Sequence, residues 1–167
     1  YFNSSTPLTL AETASVFGEM LTFKSLLSIT TKENERKGLL ANKVEDMLNT
    51  VVRQIAFFEF EKRIHHQRKI KELSVDEICE IWIDVQKKSL GPSIKFNDDY
   101  KYFWSYIPHF IHSPFYVYAY AFGDCLVNSL FNVYENKLPK FEDKYITLLE
   151  SGGCLLYTSD AADEGFC

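Results

Sequence analysis

Cysteine is scarce in this chain, four in 167 residues. Two of them, Cys154 and Cys167, fall in a final stretch that is set apart below. The other two, Cys79 and Cys125, lie far apart and form no C-x-x-C pair. That excludes a zinc knuckle and a disulfide framework, and points to a reducing cytoplasm. No apolar run reaches the ~18 residues that a membrane crossing needs, so no membrane partner is expected. No basic-then-apolar leader opens the sequence. Basic residues are not in excess: the net charge is −5, against the basic stripe that nucleic acid requires. Apolar and polar residues nowhere alternate as in a strand, and no internal repeat is visible, so the expected class is all-α.

What remains is ordinary globular material, 46% hydrophobic and 25% charged, long enough for one buried core. Fourteen Phe and ten Tyr are many for this length, and they crowd between Tyr100 and Tyr134. Apolar spacing predicts a helix over residues 8–29, entered after Pro7. The polar residues 30–34 break it. A long helical pattern follows over 35–71, with Gly38 near its start and no proline inside. Ser74 and Glu77 form a capping box that opens a helix ending before Gly91-Pro92. Beyond the loop 93–97, an aromatic helix is expected over 98–106. Pro108 and Pro114 then bracket an irregular turn holding His109 and His112. Helices over 115–138 and 140–150 complete the expected array.

The end of the chain reads differently. Cys154-Leu-Leu-Tyr-Thr-Ser-Asp-Ala-Ala-Asp-Glu164 follows Ser151-Gly-Gly abruptly and has no helical or strand period. It resembles a translated sequencing adapter, so residues 154–167 are expected to be a non-native tail behind a single domain over 1–153.

Two stretches could carry chemistry. In Pro7-Leu-Thr-Leu-Ala-Glu-Thr-Ala-Ser-Val-Phe-Gly-Glu19, the spacing of Glu12 and Glu19 puts both carboxylates on one helix face. Ala11, Ala14, Ser15 and Gly18 would let a helix or a metal come close. Taken by spacing alone, the pair also suits a solvated helix face. In Tyr106-Ile-Pro-His-Phe-Ile-His-Ser-Pro-Phe-Tyr-Val-Tyr-Ala-Tyr-Ala-Phe-Gly123, tyrosines and histidines could donate hydrogen bonds to a substrate, or simply line a core or groove. His112 sits in a Ser-Pro context that suits a structural role. His65 and His66 are adjacent on a charged helix end, point about 100° apart, and suit solvated surface rather than chelation.

Both stretches resemble the oligoendopeptidase F and thimet oligopeptidase superfamily of zinc metallopeptidases, and the resemblance runs through residues 1–153. A third match, Arg53-Gln-Ile-Ala-Phe-Phe-Glu-Phe-Glu61, resembles a family helix whose role is packing. The resemblance implies a helical zincin-type lobe and one zinc ion. Glu12 would be the third metal ligand, and Glu19 a carboxylate orienting a ligand or the helix pair. His109, Tyr116 and Tyr118, with Tyr120 less firmly, would hydrogen-bond the reacting peptide. These donors and Glu12 would have to line one concavity. The family's H-E-x-x-H helix, bearing two histidine ligands and the general base, does not occur in this sequence. The expected reading is therefore a C-terminal piece of a cytoplasmic zinc endopeptidase for short peptides, inactive by itself. The rival is a helical module that binds a peptide or partner helix without chemistry. A carboxylate-bridged di-metal bundle fits poorly, since neither Glu12 nor Glu19 has a histidine three residues on.

Overall fold

The computed structural model describes Leu10 and residues 12–152. Pro7 and the expected tail at 154–167 lie outside the described residues. Every regular element among the described residues is helical, so the lobe is all-α as the sequence predicts. None of these helices is long and apolar enough to cross a membrane. The helices are α1 (Thr13–Ile29), α2 (Glu33–Met47), α3 (Arg53–Arg68), α4 (Val75–Leu90), α5 (His109–His112), α6 (Tyr118–Glu135) and α7 (Phe141–Ser151). A π-helical turn (Leu48–Val52) joins α2 to α3, and a 3-10 helix (Asp98–Tyr106) precedes α5. The long helical run expected before residue 71 is thus one path with a wider turn inside it. Its exposed apolar residues include Val44, Met47, Leu48 and Val52.

The chain forms two compact units, one from the described parts of 1–42 and 122–167, the other from 43–121. The core of the first gathers Phe17 and Met20 of α1, Val127, Leu130 and Phe131 of α6, and Phe141 of α7. Phe17 is its hub: its ring centroid lies 4.5 Å from that of Tyr145 and 5.6 Å from that of Phe131. Spacing accounts for this, because Phe17 and Met20 are one turn apart and share a face, as do Val127, Leu130 and Phe131. Helix α6 ends in a left-handed residue, Lys137 at φ 55°. There the Lys137 N–H donates to the Tyr134 carbonyl at 2.9 Å and the Leu138 N–H to the Val133 carbonyl at 3.4 Å. This is a Schellman-type stop built without the usual glycine.

The second unit packs α3 against α4 and the 3-10 helix. Trp82 is fully buried at its centre, with ring centroids of Phe60, Phe57 and Phe110 at 5.2, 5.5 and 6.2 Å. A buried indole N–H needs an acceptor; this one donates to the Tyr100 carbonyl at 3.0 Å. The Tyr100 hydroxyl donates to Gln86 Oε1 at 3.3 Å, and burial pushes its pKa up. The expected capping box is present: the Glu77 N–H donates to Ser74 Oγ at 3.3 Å, and the Ser74 N–H to Glu77 Oε2 at 2.8 Å.

Candidate functional site

The aromatic turn is built from the second unit's own core. Ile107 is buried and anchors its start. Pro108 opens α5, with its carbonyl accepting the N–H groups of Ile111 at 3.1 Å and His112 at 2.9 Å. Proline suits that place because the first N–H groups of a helical turn go unused. What the sequence presents as an irregular turn is therefore a single helical turn, carrying a half-buried His109 and an exposed His112.

From this turn His109 meets two tyrosines. Its Nε2 lies 3.1 Å from the Tyr120 hydroxyl. Its ring stacks on Tyr116 at 5.9 Å and 26°, and stands edge-on to Tyr120 at 5.7 Å and 89°. Tyr116 and Tyr120 are themselves in contact at 5.3 Å. Tyr116 stands just before α6 and Tyr120 in its first turn, with the Ala119 N–H donating to the Tyr116 carbonyl at 2.9 Å between them, while Tyr118 is turned elsewhere. The Tyr118 ring accordingly packs against Phe58 at 5.8 Å. Of the tyrosines expected to serve the site, Tyr116 and Tyr120 gather on His109, and Tyr118 reaches the α3 side.

Helix α6 begins at Tyr118 rather than at 115, as its pattern suggests, and the reason lies at Phe115. This residue has φ 61°, a left-handed conformation that costs a side-chain-bearing residue ~1–2 kcal/mol. Its N–H donates to Glu61 Oε1 at 2.8 Å. Glu61, on α3, is 2% exposed. Burial pushes its carboxyl pKa up, opposed by the Phe115 N–H. Sequence reasoning assigned the helix of Glu61 to packing and missed this contact. A glutamate four residues after Phe57, on the helix face that runs through Phe57, Phe60 and Ile64, was the available signal. The exposed His65 is not wholly solvated either, since its ring lies 4.7 Å from that of Phe115.

Glu12 and Glu19 belong to the first unit. Glu12 is half-buried and caps α1, its carbonyl accepting the Val16 N–H at 3.1 Å. Glu19 is exposed two turns on. The close approach expected at Gly18 is not made within the described residues, where a Cβ would meet nothing within 4 Å. It is made at Gly123 of α6, where a Cβ would stand 3.3 Å from Glu12 Cβ. Any side chain there would press on Glu12, so Gly123 leaves room for that glutamate. Among the described residues no three His, Cys, Asp or Glu side chains gather as a metal would require. Glu12, half-buried with a glycine cradle beside it, fits the part of one carboxylate ligand and no more.

Known proteins resemble this chain over most of its length. An oligoendopeptidase F homolog of Borreliella burgdorferi is 38% identical over 145 residues, 86% of this chain and 24% of that protein. Oligopeptidase PepF of Bacillus subtilis is 32% identical over 144 residues, again 86% of this chain but 21% of the relative. The crystal structure of oligoendopeptidase-F from Enterococcus faecium superposes with a TM-score of 0.76 at 27% identity, covering 85% of this chain and 28% of that one. The chain thus spans about a quarter of the length of the curated relatives it matches. The profile described as Peptidase family M3 matches residues 1–159. With that match running through every described residue, this chain belongs to peptidase family M3.

Proposed function

We propose that the chain is part of a zinc-dependent endopeptidase acting on short peptides in the cytoplasm, to which it contributes one metal ligand and the donors that hold the reacting peptide. Glu12 is the ligand, and Glu19 steadies it or the helix pair. A zinc site of this kind takes three protein ligands, so the other two, both histidines, come from a segment this sequence does not contain. Zinc, when bound, would polarise the scissile carbonyl and acidify water. His109 and Tyr116 donate hydrogen bonds to the peptide oxygen as negative charge develops on it, with Tyr118 assisting from the other side of the turn. The observation that carries this reading is the gathering of His109, Tyr116 and Tyr120. Two tyrosine hydroxyls and an imidazole, packed ring on ring, form a pre-oriented donor set, and donors held in place before the reaction stabilise an oxyanion most. The piece by itself should bind zinc weakly and cleave nothing, and residues 154–167 should be dispensable.

The test uses the complete peptidase carrying these residues. Glu12→Gln should lose zinc, read by elemental analysis, because a neutral amide is a poor ligand. His109→Ala should keep zinc and lower kcat by roughly 10²–10³-fold, the usual loss for one oxyanion donor. Full zinc and full rate in Glu12→Gln would remove the ligand assignment. An unchanged rate in His109→Ala would turn the aromatic turn into packing and favour a peptide-binding module.

A further inference from the structure

A buried carboxylate 54 positions earlier in sequence holds the aromatic turn by its backbone. Glu61 Oε1 accepts the Phe115 N–H at 2.8 Å, while Oε2 is buried with no hydrogen-bond partner among the described residues. A glutamate left half-satisfied in an aromatic core is costly, and so demands an explanation. The residue it holds is left-handed, at φ 61°, a conformation that side-chain-bearing residues keep only when their surroundings impose it. On the same α3 face, Phe58 and His65 flank Glu61 at helical spacing, and their ring centroids lie 6.4 and 4.7 Å from that of Phe115. One stripe of α3 therefore grips Phe115 by its ring on two sides and by its N–H from below. The next residue in the chain is Tyr116, and two residues later α6 begins.

We infer that Glu61 is a positioning residue: by accepting the Phe115 N–H it imposes the left-handed turn that delivers Tyr116 onto His109 and sets where α6 starts. It touches no substrate and acts through Tyr116 and Tyr120. The inference rests on the proposed role of His109 and Tyr116, and deepens it. A backbone acceptor is what the geometry requires, and a neutral amide oxygen would serve as well as a carboxylate. Burial that raises the Glu61 pKa is consistent with a group used for its acceptor oxygen rather than for its charge.

The test again uses the complete peptidase, with Glu61→Leu, Glu61→Asp and Glu61→Gln. Phe115 amide hydrogen exchange is followed by fragment mass spectrometry, alongside zinc content, kcat and KM. Glu61→Leu should speed Phe115 exchange by about tenfold or more as its hydrogen bond is lost. It should lower kcat more than KM, with zinc retained, because oriented donors matter most in the transition state. Glu61→Gln should recover most of both losses. Glu61→Asp withdraws the carboxylate by one methylene, should expose the Phe115 amide likewise, and serves if the leucine variant does not fold. Unchanged Phe115 protection in Glu61→Asp or Glu61→Leu overturns the inference, as does a glutamine variant no better than leucine. If instead Glu61→Leu opens the turn as expected but His109→Ala leaves turnover intact, the positioning stands and the proposed function falls.

Discussion

The Tyr120 hydroxyl is the group in the aromatic cluster whose work is most easily isolated. It lies 3.1 Å from His109 Nε2, so Tyr120→Phe removes that hydrogen bond and nearly no volume. One such bond is worth about 1 kcal/mol, so kcat of the complete enzyme should fall about fivefold with KM little changed. Tyr118→Phe, where the ring packs on Phe58, should cost less. A larger loss from Tyr118→Phe than from Tyr120→Phe would mean that the substrate meets the other face of α6. The sequence pointed to Tyr116 and Tyr118 beside His109, whereas the rings that meet on His109 are those of Tyr116 and Tyr120. The grip of Glu61 on Phe115 was not legible, because local pattern carries no record of a contact made across 54 positions.

Among the elements, α4 was readable in full. Ser74 and Glu77 satisfy each other's backbone N–H groups, and such a box needs only local sequence to form. Ser74→Ala should lower stability by about 1 kcal/mol, the usual cost of a lost N-cap, measured by urea unfolding. The same cap has a pH signature. Lys71, then the Ser74 N–H, hold the Glu77 pKa down at about 2, from an ordinary 4.5. A lowered carboxyl pKa contributes stability that is full above the unfolded value and is lost as pH falls through the folded one. The Ser74 hydroxyl also donates to Glu77 Oε2 at 3.0 Å, a smaller contribution to the same lowering that alanine removes, so the Ser74→Ala penalty should be largest above about pH 4.5 and shrink towards pH 2. The end of α6 carries the opposite kind of prediction. Lys137 sits left-handed where glycine is favoured, so Lys137→Gly should raise stability by about 1 kcal/mol. The start of α6 and the winding of residues 98–106 were not legible. Tyr100, Phe103 and Tyr106 meet ring to ring in succession, at 5.4 and 5.3 Å. Over so short a segment their near-threefold spacing suits a 3-10 helix as well as an α-helix.

For the whole molecule, the all-α class followed from missing strand alternation, and family membership from two motifs and a helix. The two units did not follow. Their boundaries, at 42–43 and 121–122, fall inside α2 and α6, where no proline or polar linker marks a change. The units also differ in their light-absorbing residues. The chain has two tryptophans, Trp82 and Trp104, and both belong to the second unit. One is fully buried among phenylalanine rings; the other donates its indole N–H to Cys79 Sγ at 3.4 Å. Both emitters thus belong to residues 43–121, and residues 1–42 and 122–167 contribute no tryptophan of their own. A fluorescence-monitored denaturation would trace half the chain while seeming to trace it all. Tyr134→Trp, at a partly exposed ring edge-on to Phe17 at 6.0 Å, would give the silent half its own lamp.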